Sequence, residues 1–345
     1  MQIYRFLFRY TQFFRSFSVN GTMGKSRFPF ISLLLLCFVL PMQAQWDTPF
    51  SHYWAVKGFY NPAFAGVTEQ IRSAAAYQYE WAGVENAPQK VVFTADLPIE
   101  FLRRRHGTGI VVYGEQVGSL RNTLLAGQYS HRWDMGHGAL QIGLQAGIYN
   151  LQFDAGSRKI ISGEGYGKPL LQVNSADKQL PDLHAGIAWS GRQGFAGLSM
   201  LHITQPRFYV SSDSVTTDLQ NDSARTTIPR SINFMAGYNI VLFYPLAIQP
   251  MVWLQSDFSE RVAQATLRLE YDKRFSGGFS WSPGNGYVVF GGATFQGLEM
   301  GYAYNKHTSG PGSISKGSHE LYVRYDFPLD YFKPKLPPQK SIRLL

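Results

Sequence analysis

Cysteine is nearly missing. The 345 residues hold one, Cys37, inside an apolar run close to the start. Past that run there is no disulfide, no thiolate metal site and no cysteine nucleophile. Charge is also scarce: Asp, Glu, Lys and Arg make up 16% of the chain. The formal net charge of +9 overstates the basicity. Five of the 32 basic residues and none of the 23 acidic ones fall within residues 1–44, which leaves 27 against 23. That balance gives no reason to expect a nucleic-acid partner. Long apolar runs are missing too. Ile31–Leu40 (ISLLLLCFVL) is too short for a spanning helix. No HExxH, no GxSxG elbow and no Gly-rich phosphate loop leading into a helix appears, so the common hydrolase and nucleotide chemistries lack their residues.

The short apolar run has a role. Lys25 and Arg27 precede it, and Met42-Gln43-Ala44 supplies a small-residue cleavage site. Residues 1–44 therefore read as a signal peptide cleaved after Ala44, with translation starting at Met23 to give an ordinary leader, MGKSR. A lipoprotein signal ending at Cys37 is disfavoured by the bulky Leu36 before it.

The remainder is rich in aromatics, with 25 Phe and 20 Tyr, yet its mean hydropathy is only −0.16. A period of two accounts for both. In Gly138–Phe153, Leu140, Ile142, Leu144, Ala146 and Ile148 share one face, and Gln141, Gly143, Gln145, Gly147 and Tyr149 share the other. Ala263–Tyr271 and Leu321–Phe327 alternate in the same way. Fourteen such runs begin near Gln70, Gln89, Thr108, Leu120, Gly138, Leu183, Gly194, Arg230, Leu246, Arg261, Phe275, Tyr287, Leu298 and His319. No convincing amphipathic helix accompanies them. Repeated alternation behind a secretory leader predicts an all-β, transmembrane antiparallel barrel of the outer-membrane type with about 14 strands. The expected layout is a leader at 1–44, a periplasmic or plug segment at 45–69, the barrel at 70–328 and a Pro- and Lys-rich periplasmic tail at 329–345.

Connection lengths follow the same logic. Links after even strands are short, as at Asp134–His137, Ser190–Gln193, Phe243–Pro245, Arg274 and Gln296-Gly297. Links after odd strands include the longest, Asp154–Pro181, Thr204–Pro229 and Lys306–Ser318. This is the asymmetry of periplasmic turns and outer loops. Glu100–Gly107, with Arg103-Arg104-Arg105, is expected as a longer periplasmic exception. Girdle aromatics are expected at the outer interface (Tyr79, Trp81, Trp253, Trp281) and the inner one (Trp133, Trp189).

Chemistry-bearing residues are few. His131, Asp134 and His137 flank one turn, but no third ligand of fixed spacing supports a metal there. Ser318 and His319 are adjacent on a strand and point to opposite faces. Arg72, Glu80, Asp96, Arg268, Glu270, Arg324 and Asp326 must face inward, because an arginine against lipid costs about 2–4 kcal/mol at mid-bilayer. The residues predict no catalytic group, no cofactor and no metal site. The leader aromatics, Trp46, Phe50, Tyr53 and Trp54 foremost, are candidates for contact with a protein partner. The other outcome is that they fill the barrel mouth.

Several segments resemble the PorP/SprF family. Gln45–Tyr53 (QWDTPFSHY) and Asn61-Pro62-Ala63-Phe64-Ala65-Gly66 are similar to its opening QDPxFSQY and NPAxAG stretches. Tyr77–Trp81 is similar to its YRxQW, Asp96-Leu97-Pro98 to its D-x-P, and Gly317-Ser318-His319-Glu320 to its GSHE. Pro181-Asp182, Gly197-Leu198-Ser199 and His202 resemble its central PD…GLS…H. The departures are Asp-Thr-Pro for Asp-Pro, and Gln78 and Glu80 within YRxQW. The resemblance implies a non-enzymatic outer-membrane component of the type IX secretion system of Bacteroidota, serving export, surface anchoring or gliding motility. It implies as partners the secretion machinery and the C-terminal domains of cargo, within outer-membrane lipid. A porin or transporter of small or hydrophobic solutes is the alternative. The motif positions Asn61, Pro62, Ala63, Gly66, Trp81, Asp96, Pro98, Gly317, His319 and Glu320 are those the resemblance marks. Asn61-Pro62 is expected to fix a turn that seats the leader.

Overall fold

The computed structural model describes residues 49–118, 120–153, 178–210 and 224–329. Trp46, the signal peptide and all but the first residue of the Pro-rich tail lie outside them. In chain order the strands are β1 (Gln70–Tyr79), β2 (Gln89–Phe101), β3 (Arg104–Val117), β4 (Leu120–Met135), β5 (Gly138–Phe153), β6 (Lys178–Gly191), β7 (Gly194–Leu201), β8 (Arg207–Val210), β9 (Ala224–Thr227), β10 (Ser231–Tyr238), β11 (Ile240–Phe243), β12 (Leu246–Ser256), β13 (Arg261–Tyr271), β14 (Phe275–Ser282), β15 (Gly286–Phe295), β16 (Leu298–His307) and β17 (Ser318–Pro328). Each barrel strand pairs antiparallel with its sequence neighbour. β7 pairs with β10, β10 with β12, and β17 with β1, which closes the ring. β11 continues β10 past a break at Asn239, and β8 with β9 forms a separate hairpin, so the wall has fourteen strands. No helix is long and apolar enough to cross a membrane.

The burial pattern is that of a soluble protein turned inside out. On β5, Leu144 is 60% exposed and Gln145 2%. The same alternation holds along β2, where Val91, Phe93 and Leu97 are exposed and Lys90, Val92, Thr94 and Asp96 are buried. The outer face is apolar because hydrocarbon solvates it, and closure pairs the strand edges that hydrocarbon could not satisfy.

The starts of β1, β3 and β5 share one end of the barrel. Its connections are short, as at Gly136-His137 and Gln296-Gly297; this turn end faces the periplasm in barrels of this type. The long connections share the loop end. The Glu100–Gly107 link is not a loop, as the cluster of arginines had implied. β2 and β3 continue through it and turn at Leu102 and Arg103, both at positive φ (51° and 58°). Primed two-residue turns require that backbone, and the arginines ride on a ribbon projecting past the hydrocarbon. Trp133, Trp189 and Trp281 face outward near strand ends. Trp253 does not: it is wholly buried in the lumen, because Met251, Trp253 and Gln255 share the inner face of β12.

Candidate functional site: the lumen and its plug

Residues 50–66 fill the lumen. Phe50, Tyr53, Trp54, Tyr60 and Phe64 are each at most 5% exposed. They pack against inward aromatics of the wall: Trp54 lies tilted on Phe290 (4.9 Å between centroids), while Tyr60 on Trp253 (5.6 Å) and Phe64 on Phe195 (5.7 Å) meet edge to face. Phe50, Tyr53 and Trp54 are therefore not free surface for a partner. The lumen hides them because so short a segment has no core of its own, and burying each large side chain contributes about 1.5–3 kcal/mol.

Two sutures hold the segment. Near the loop end, the buried Glu320 carboxylate accepts the backbone N–H of Ser51 (2.5 Å), the N–H of His52 (2.8 Å) and the His52 ring through Nδ1 (2.7 Å). Glu320 is level with Gln78 of β1 and Lys90 of β2. Lys90 makes its own buried pair with Glu80 (2.6 Å) and lies 5.4 Å from the Phe50 ring.

The second suture is Asn61–Gly66. Asn61 is extended, and its Oδ1 accepts the Ala63 N–H to start a 3-10 turn over Pro62–Phe64, where proline's fixed φ and missing donor cost nothing. Its Nδ2 donates to the carbonyls of Ile187 (3.1 Å) and Leu198 (3.3 Å). The Gly66 N–H donates to Asp96 (2.8 Å), Ser130 donates to the Ala65 carbonyl (2.8 Å) and Ser199 to the Tyr60 carbonyl (2.6 Å). Gln128 donates to the Gly58 carbonyl (2.6 Å). The wall meets the turn with glycine. A Cβ on Gly143 would stand 2.3 Å from the Ala63 nitrogen, on Gly186 2.1 Å from Asn61 Oδ1, and on Gly107 2.0 Å from the Ala65 carbonyl oxygen.

Asn61, Pro62, Ala63, Gly66, Asp96 and Glu320 thus come together at the plug–wall boundary, and Pro98 lies against Gly66 there. The other motif positions do different work. The Trp81 N–H donates to Ser318 Oγ (3.0 Å), and the Gly317 carbonyl, at a residue with φ +96°, accepts from Ala82. Both shape the loop-end rim. His319 faces outward and meets the Tyr302 hydroxyl at 2.6 Å.

Toward the turn end the inward charges form a network. Glu299 accepts from Arg268 (3.0 Å), Arg324 (2.6 Å) and the Tyr322 hydroxyl (2.5 Å). Arg72 pairs with Asp326 (3.0 Å), and Arg268 also reaches Glu270 (2.8 Å). Removing one partner of such a group leaves buried charge uncompensated, at about 3–5 kcal/mol. Glu299→Ala is expected to lower barrel stability by that order and Glu299→Gln by less, as read by thermal loss of the β-sheet circular dichroism signal in detergent.

His131, Asp134 and His137 do not converge. Asp134 pairs with Arg132 (2.8 Å), while His131 meets His106 (3.1 Å), which meets Tyr129 (2.6 Å). The cluster that sequence reasoning passed over is Asp182, His184 and His202, all buried at the loop-end side of the lumen. The signal was available: Asp182 and His184 are two apart on an alternating strand and must share its inner face.

A family model described as type IX secretion system membrane protein PorP/SprF matches residues 42–325. No curated protein sequence matches the chain. Among solved structures it is similar to the TodX deltaS2S3 mutant monoaromatic hydrocarbon channel (9% identity, TM-score 0.47, covering 84% of this chain and 97% of that one). It is also similar to a Pseudomonas aeruginosa FadL homologue (11%, 0.45, 78% and 93%) and to the Ralstonia pickettii toluene transporter TbuX (12%, 0.45, 78% and 92%).

Proposed function

Because the chain belongs to the PorP/SprF family of type IX secretion system membrane proteins, we propose that it serves export as a closed, non-enzymatic barrel that binds partner proteins rather than passing cargo through its own lumen. The observation that carries this is the sutured segment 50–66, which occupies the space a substrate would need. The described loop-end connections, such as 80–88 and 308–317, and the turn-end rim then supply contact surfaces, for the secretion machinery and for cargo C-terminal domains destined for export, surface anchoring or gliding. No activated nucleophile occurs among the lumenal groups described, which supports binding rather than catalysis.

In planar bilayers the intact protein is expected to carry no steady ion current, whereas deletion of residues 50–66 opens one. A steady current through the intact barrel overturns the closed reading. Cells lacking the protein are expected to lose cargo from surface and medium; an unchanged secretome overturns the export reading. Pro62→Ala, which frees the backbone of the seating turn, is expected to weaken co-purification of partners several-fold. Equal recovery from both forms counts against a role for the seated plug.

One observation favours the solute-transport alternative. A shallow apolar groove of about 640 Å³ lies on the wall at Trp189, Phe195, Tyr238, Met251 and Phe279. Under that reading, cells without the protein take up toluene more slowly; equal uptake removes it.

A further inference from the structure

We propose that Asp182, His184 and His202 form a binding site for one zinc ion at the loop end of the lumen. The proposal is independent of what the barrel docks. Asp182 is 1% exposed, and its partners among the described residues are the two imidazoles and Thr204. Among the described residues no Lys or Arg is paired with it. The interior solvates a buried carboxylate poorly, which leaves a deficit of solvation. A dication held by the same three groups removes that deficit, and one carboxylate oxygen with two imidazole nitrogens is a donor set that zinc takes.

The geometry brings the donors to one point. Asp182 and His184 project from the inner face of β6. His202 follows the last residue of β7, and the Ile203 N–H, bonded to the Leu183 carbonyl (2.8 Å), holds the turn against β6. His202 has φ +53°, a backbone that non-glycine residues adopt at a cost and that recurs at functional sites. Asp182 Oδ2 lies 2.6 Å from His202 Nδ1 and 3.0 Å from His184 Nε2, and all three donors fall within 4.8 Å of one another. Tetrahedral ligands about 2.0–2.1 Å from zinc stand about 3.3 Å apart. A small rotation of the carboxylate therefore admits the ion. Thr204 donates to Asp182 Oδ1 (3.2 Å) and orients the carboxylate, while the Gln145 amide donates to His184 Nδ1 (2.9 Å), a bond that is given up when Nε2 takes the ion and the ring proton moves to Nδ1.

Zinc takes four ligands, so these three donors call for a fourth from water or another side chain. The site joins the start of β6 to the end of β7, the roots of the two longest loop-end connections. Zinc would tie these two strand ends together.

The test uses the full chain in detergent, stripped with EDTA and titrated with zinc by calorimetry. The expected result is saturation at one ion per chain. In Asp182→Asn and in His202→Gln affinity is expected to fall on the order of 100-fold or more. His131→Gln, which alters the other histidine cluster, leaves binding unchanged. Absence of saturable binding overturns the site, as does binding that survives the Asp182→Asn/His202→Gln double variant or is lost in His131→Gln. Should the ligand variants fail to fold, cobalt(II) added to the unaltered protein decides. An intense visible absorption band of tetrahedral cobalt supports the site, and the weak spectrum of aqueous cobalt overturns it.

Discussion

Gly143→Val combined with Gly186→Val is expected to drive residues 50–66 out of the lumen and convert a closed barrel into a conducting one. At Gly143 the new Cβ would sit 2.3 Å from both the Ala63 nitrogen and the Pro62 carbonyl carbon. These are backbone atoms on both sides, so no rotamer relieves the clash. At Gly186 it would sit 2.1 Å from Asn61 Oδ1, and Asn61 is fixed by its bonds to Ala63, Ile187 and Leu198. Overpacking a well-fitted core costs about 1–3 kcal/mol where side chains can adjust, and more where they cannot. Valine favours the strand itself, so the wall still forms. The check is a bilayer recording with limited proteolysis of residues 50–66. A variant that stays electrically silent and protease-resistant shows that the turn is not seated as described.

Glu320→Ala acts at the opposite suture and should loosen the plug without expelling it. It leaves the N–H groups of Ser51 and His52 and the His52 ring without their acceptor, each at about 1–3 kcal/mol when buried. The combined effect, about 3–9 kcal/mol, is set against a gross contribution of about 7.5–15 kcal/mol from the five buried aromatics. Local opening therefore becomes more frequent while the closed state still dominates. Hydrogen exchange across residues 50–60 is expected to quicken on the order of 10²- to 10⁶-fold. Glu320→Gln, which keeps one acceptor oxygen, should fall between. Exchange unchanged in Glu320→Ala would show that this carboxylate does not hold the segment.

The wall was legible because its solvent is written into every second residue. Leu140 through Ile148 on one face and Gln141 through Tyr149 on the other leave one arrangement in which lipid meets only hydrocarbon, and the strand starts at Gln70, Gln89, Leu120 and Gly138 follow from it. The misplacements share a cause. An aromatic suits either lipid or a packed lumen, so Trp253 was readable only from its parity with Gln255. Charge suits either a loop or a strand extended past the hydrocarbon, so Arg104 and Arg105 hid the start of β3. Glu320 was marked by family resemblance, but nothing local tied it to Ser51 and His52, 269 and 268 residues away.

Alternation along each strand, inherited from the two-residue pleat, together with the secretory leader, pointed by sequence alone to a lipid-facing ring of about fourteen strands. What occupies the ring's interior was decided only in three dimensions. The leader's aromatics could have met water, a partner or the lumen, and composition does not distinguish these. The lumen took them because three glycines on separate strands leave a groove the width of a backbone, and a buried carboxylate waits above it whose donors among the described residues all come from the segment. Such a fit is a property of side chains brought together by closure, so no stretch of sequence contains it.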